Sequence, residues 1–201
     1  MQKSGNKKSN GQKSVVKTVI IAFVLVFLLV GFYYYVSYKA ERGKEKVGGE
    51  ITKTQQMLQY NFDKKYPPSP KEVVKYYSEI TLCFYNQDNS EVEIYALAKQ
   101  IQKLYDEELI RNQTEDEYLE NLKNEIYSMK ENGLVISGYS TSSSTDVEYY
   151  SADGYEWASL NCVYSIRKGT AVTSSNEKFL LRKDKDGHWK IYGWTLVDDE
   201  R

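Results

Sequence analysis

The chain has 201 residues, room for one domain with an appendage. Its 27 Lys and Arg stand against 28 Asp and Glu, a net charge of −1, which excludes an obvious nucleic-acid binder and an acidic solvating tail. Hydrophobic residues at 41%, aromatics at 14% and only three prolines exclude a disordered or collagen-like chain, and two cysteines are too few for a disulfide-built scaffold.

The neutral total is an average of two unlike parts. Residues 1–46 hold nine basic groups and two acids, whereas residues 47–201 hold 18 basic groups and 26 acids. A head of +7 therefore precedes a body of −8. Between them Thr18–Val36 runs for 19 residues without a charge. About 20 apolar residues span a hydrocarbon core of roughly 30 Å, and this stretch has no polar face of the kind a soluble amphipathic helix keeps. Phe32, Tyr33, Tyr34 and Tyr35 gather at its end, where aromatics with polar tips favour the headgroup level.

The flank before the segment carries five lysines and no acid, while the flank after it mixes Lys39, Arg42, Lys44 and Lys46 with Glu41 and Glu45. The positive-inside bias places the N-terminus in the cytoplasm. A cleaved signal peptide is disfavoured, because the apolar core is too long and Tyr33–Tyr35 occupies the place where small residues are needed. The expected organisation is a basic cytoplasmic tail (1–17), a transmembrane helix acting as a signal anchor (18–36), a juxtamembrane linker (37–49) and an extracytoplasmic domain (50–197). The expected location is the cell membrane.

Within the body, Ile51, Leu58 and Phe62 recur at helical spacing before Pro67-Pro68 stops the pattern. Ser69-Pro70-Lys71-Glu72 starts a second helix, with Val73, Tyr76, Tyr77, Ile80 and Phe84 on one face and Cys83 at its edge. Ser90–Glu93 repeats the capping pattern and opens a helix burying Ile94, Leu97, Ala98, Ile101 and Leu104. Thr114–Glu117 is a third capping box, followed by Tyr118, Leu119, Leu122, Ile126 and Met129 inward and a stop at Asn132-Gly133.

After Gly133 the period changes from 3.6 to 2. Leu134–Ser140 and Asp146–Ala152 are expected strands, and Asp153-Gly154 turns into a third with Ala158, Leu160, Cys162, Tyr164 and Ile166 on one face. A loop from about Lys168 to Asn176 leads to a strand over Lys178–Lys183, and Asp184–Gly187 turns into the last strand, His188–Val197. Helices followed by an antiparallel meander argue an α+β fold, with three to four helices packed on a curved sheet of about four strands.

Pro67–Lys75 and Phe179–Trp194 resemble a family of single-pass membrane proteins from anaerobic Gram-positive bacteria. The resemblance covers about residues 50–197 and implies no activity. The final Asp186-Gly187-His188-Trp189-Lys190-Ile191 strand resembles that of the NTF2-like cone fold, which hosts isomerases and dehydratases as well as non-catalytic modules. An anchor followed by such a cone also resembles scaffold subunits of bacterial conjugation and type IV secretion machines.

No catalytic, cofactor or metal site is expected. The single histidine, His188, reads as an exposed strand-start residue, and one His with two separated Cys makes no transition-metal spacing. The inward faces assigned above carry no carboxylate. Tyr164, Trp189 and Phe179 are expected to line the cone pocket. Cys83 and Cys162 are expected as two separate buried thiols, with a disulfide between them the alternative. Tyr192 and Trp194 are expected on the face opposite Trp189 and Ile191, with Tyr139 and Tyr150 joining them as an exposed interface patch.

The expected function is a membrane-anchored, non-enzymatic interaction module that acts as an assembly component of the envelope. Its partner would be a second copy or another protein, not nucleic acid. The alternative is a binder of a small apolar or envelope-derived ligand, and an isomerase- or hydrolase-type enzyme ranks third. Pocket content separates these: a filled cone suits a scaffold, an open apolar pocket suits a ligand, and a carboxylate or His inside an open cone suits catalysis.

Overall fold

The computed structural model describes residues 51–197. The expected tail, transmembrane helix and linker (1–17, 18–36 and 37–49) lie outside the described residues. Among the described residues no helix is long and apolar enough to cross a membrane.

Five helices precede the sheet: α1 (Lys53–Gln59), α2 (Pro70–Asn86), α3 (Glu91–Gln102), α4 (Glu107–Arg111) and α5 (Glu115–Glu131). Capping boxes close at Ser90 with Glu93 and at Thr114 with Glu117, as the sequence pattern predicts. At α2 the box is half made, since Ser69 accepts from the Glu72 N–H but Glu72 turns toward Lys75 instead of reaching back. A further box at Thr52 and Gln55 starts α1, and Asp106 caps α4, a helix the sequence reading did not include.

Five strands follow: β1 (Leu134–Thr141), β2 (Glu148–Ala152), β3 (Tyr155–Lys168), β4 (Ala171–Lys183) and β5 (Trp189–Leu196). They form an open antiparallel sheet in the order β1-β3-β4-β5, with β2 also paired to β3. The fold is α+β, and its five strands fall where the five strand segments are expected, though β4 starts earlier. The loop expected over residues 168–176 is instead a tight turn at Gly169 (φ +58°), and β4 starts at Ala171 opposite Lys168. Its first residues, Ala171 to Ser174, are exposed, so their strand state comes from pairing with β3 rather than from burial.

Helix α2 packs on the inner face of the sheet and supplies more of the core than any other helix. Val73, Val74, Ile80, Cys83 and Phe84 meet Ala158, Leu160, Cys162, Phe179, Leu181 and Ile191, all buried. The outer edge of β5 is partly covered by the α3–α4 connection. Ile191 N–H donates to the Leu104 carbonyl and Asp106 N–H donates to the Ile191 carbonyl, both at 2.8 Å, which removes donors and acceptors from an otherwise open edge.

Two irregularities in the ladder decide which face the aromatics take. The β1–β3 register shifts between Ile136 and Gly138, and the β4–β5 register shifts opposite Leu180/Leu181, between Ile191 and Gly193. A bulge adds one residue to one strand and thereby reverses the alternation beyond it. Tyr139 consequently pairs with inward Tyr164, and Trp194 pairs with inward Phe179. The strict alternation that would put both on the outer side is overturned by these bulges.

Candidate functional site

Helix α5 meets the sheet chiefly at β1 and buries little of its own surface. Leu122 is its only buried residue, whereas α2 buries eight. The gap between α2, α5 and the inner face of the sheet is an open cavity with two overlapping lobes of about 600 and 390 Å³, within the size range of small-molecule sites. Both lobes share Tyr77, Thr81, Tyr85, Glu125, Ser128 and Trp194. On α2 the three shared residues lie four apart and so form one stripe; on α5 Glu125 and Ser128 lie three apart on the facing side.

The larger lobe extends to Tyr105 and Tyr118, and the smaller reaches the sheet at Tyr164, Ser175 and Glu177. Tyr77 meets Phe179 edge-on at 5.2 Å and Trp194 at 5.3 Å between ring centroids. Tyr164 is fixed by a 2.7 Å hydrogen bond between its hydroxyl and Ser78 Oγ, which itself donates to the Val74 carbonyl. Tyr85 donates to Glu125 at 2.9 Å.

Glu177 differs from the other carboxylates of the domain. It lies on the inner face, opposite Cys162 on one side and Leu196 on the other. It forms no hydrogen bond or ion pair of its side chain with any described residue. Burial alone pushes its carboxyl from the ordinary 4.5 up to about 7. Its charge in turn helps raise the hydroxyls of Tyr77, Tyr85 and Tyr164, after the larger effect of their own burial. No lysine, arginine or histidine lines either lobe. The cavity is therefore acidic, with two carboxylates among aromatic walls.

The residues singled out from sequence separate into three places. Tyr164 and Trp194 line the cavity. Phe179 is fully buried behind the Tyr77 and Trp194 rings, and Trp189 packs against Tyr149 at 5.7 Å away from it. Tyr139 is turned inward and donates to Glu79 at 2.7 Å. Tyr150 and Tyr192 lie on the outer face, both against Trp157. Cys83 and Cys162 are buried free thiols, both raised by burial. His188 stacks on Tyr66 at 4.2 Å.

Glu177 is the residue the sequence reading missed, and that reading placed no carboxylate inside the cone. Parity was the available signal: a strand with Phe179 and Leu181 inward carries residue 177 inward too, provided it continues past Lys178. Among the described residues no group of three His, Cys, Asp or Glu is placed to hold a metal ion.

The chain belongs to the family described as Domain of unknown function (DUF6715), which matches residues 1–194. No curated protein matches it.

Proposed function

We propose that this chain is a small-ligand-binding module of NTF2-like type, held at the extracytoplasmic face of a membrane by a helix over residues 18–36. The observation that carries the reading is the open cavity between α2, α5 and the sheet, with Glu177 unpaired on its floor. A module that worked only by surface contacts would gain stability by closing α5 onto the sheet, since each buried Leu or Phe side chain is worth roughly 1.5–3 kcal/mol. The order of helices followed by an open antiparallel sheet supports an NTF2-like reading. The uncharged segment and its lysine-rich flank support the anchor and its orientation.

The test is a small-molecule panel screened by ligand-observed NMR against the full chain in non-ionic detergent, beside Thr81→Trp, which fills the space both lobes share. Binders of the wild type are expected to lose saturable binding in the variant. Binders that persist in Thr81→Trp, or an absence of binders, overturn the reading.

The second reading, an assembly component that works through protein contacts, is favoured by the outer face. Tyr150 and Tyr155 are each 47% exposed there, beside Trp157 and Tyr192. Sedimentation of the full chain, compared with Tyr150→Ser/Tyr155→Ser, tests it: a self-association lost in the double variant supports it, and a monomer in both contradicts a homodimer.

A further inference from the structure

We propose that the ligand of this cavity is an organic cation, a small molecule carrying an ammonium group on an apolar or aromatic body, with the ammonium seated against Glu177. The inference rests on the cavity being a ligand site and goes further by naming the chemistry.

Three observations converge on a cation. First, the walls are aromatic: Tyr77, Tyr85, Tyr105, Tyr118, Tyr164 and Trp194 all line one lobe or both. Ring faces attract cations, most strongly where water is excluded, and clustered rings are the usual means of holding an ammonium group. Second, the charge inside is of one sign. Glu125 stands at the exposed rim and Glu177 at the floor, with no basic side chain lining either lobe to offset them. An anionic ligand would be repelled, and a neutral one could hydrogen-bond the Glu177 carboxyl but would not compensate its charge. Third, the protein leaves Glu177 unpaired although lysines are plentiful. Glu79, Glu91, Glu115, Glu148 and Glu156 each hold a lysine within 3.1 Å. A half-buried carboxylate without a counter-ion is disfavoured, so the free protein holds the proton there, and a bound ammonium group would supply the charge that favours the ionised form.

Occupation by a cation is linked to the proton on Glu177. The groups that face it are Tyr77, Thr81 and Tyr85 from α2, Glu125 from α5, Cys162 and Tyr164 from β3, Ser175 from β4, and Trp194 and Leu196 from β5. Glu125 is the only other carboxylate among them, and it stands at the exposed rim. An ammonium group at Glu177 favours the carboxylate, so binding releases a proton and tightens as pH rises through about 7.

The experiment is isothermal titration calorimetry on the full chain in non-ionic detergent with three probes of similar shape: 2-phenylethylammonium, 2-phenylethanol and 3-phenylpropionate. At pH 7.5 the ammonium probe is expected to bind saturably and at least tenfold tighter than the alcohol, with no detectable binding of the carboxylate. Glu177→Gln is expected to lower ammonium affinity at least tenfold and to leave the alcohol unchanged, which shows that the variant keeps its cavity. Glu125→Gln is expected to cost two- to threefold. Ammonium affinity should rise at least threefold from pH 6 to pH 8 in the wild type and stay flat in Glu177→Gln. If the alcohol binds as well as the ammonium, or the ammonium is indifferent to Glu177→Gln, the cation inference fails and the ligand site stands. If the carboxylate binds best, the cation inference fails as well. If none of the three binds, the cation inference and the ligand-site reading fail together.

Discussion

Arg182 holds Asp106 in a two-point grip, with Nη2 at 2.6 Å from one carboxylate oxygen and Nε at 2.9 Å from the other. Both side chains are nearly withdrawn from water, at 12% and 5% exposure. The pair joins the outer face of β4 to the cap of α4, and Tyr155, Tyr192 and Trp157 surround the guanidinium at 4.5–5.6 Å. Removing one member of such a pair leaves the other buried and uncompensated, at a cost of about 3–5 kcal/mol. Arg182→Ala should lose about that much in urea unfolding. Arg182→Lys should recover only part of it, because an ammonium cannot reproduce the planar fork. A loss under about 1 kcal/mol in Arg182→Ala would show that the pair is solvated.

The unpaired Glu177 makes stability depend on pH in a direction opposite to that of most carboxylates. Its folded-state value of about 7 lies above the ordinary 4.5, so the folded protein holds this proton more tightly than the unfolded chain does. Its contribution is fully present below about pH 4.5 and is lost as pH rises through about 7. Glu177→Gln should therefore match the wild type near pH 4.5 and exceed it at pH 8. The gain should be about 1–2 kcal/mol, less than the full shift implies because the side chain is only half-buried. Equal unfolding midpoints at pH 8 would contradict this.

Helix starts offer an internally controlled comparison. Ser69→Ala, Ser90→Ala and Thr114→Ala should each cost about 1 kcal/mol, since each side chain accepts from a backbone N–H of the first turn. Glu93→Ala and Glu117→Ala should cost more than Glu72→Ala, because only the first two return a bond to the cap residue's N–H. Thermal unfolding of the six variants checks the ranking, and an equal effect of Glu72→Ala contradicts the half-made box.

Capping patterns and apolar spacing at Ser69, Ser90 and Thr114 located three helices, because those signals are local. Helix α4 was missed because it spans only Glu107–Arg111 and buries no residue, so it has no apolar stripe to read. Trp194 and Tyr139 were placed on the wrong face because one added residue in a strand reverses parity, and the only trace was a glycine beside each shift, Gly193 and Gly138. Glu177 was missed because the polar run Thr173–Asn176 reads as a loop, although β3 offers it a pairing partner along its whole length. Cavity and floor thus depend on long-range pairing, which local patterns do not carry.

The proposed anchor makes a prediction independent of the cavity. Alkaline phosphatase joined after Arg201 should be active in a bacterial host, because the enzyme requires an oxidising extracytoplasmic compartment to form its disulfides. Replacing Lys3, Lys7, Lys8, Lys13 and Lys17 with Gln should lower that activity by weakening the charge bias that sets orientation. An inactive fusion beside a fluorescent cytoplasmic reporter at the same position would reverse the topology.

The most direct measurement is a crystal structure of the full chain grown with 2-phenylethylammonium. The predicted result is the probe between α2 and α5, its nitrogen within hydrogen-bond distance of a Glu177 carboxylate oxygen and its ring against Tyr85 or Trp194. An empty cavity with the probe bound elsewhere, or a cavity closed by movement of α5 onto the sheet, would contradict the proposal.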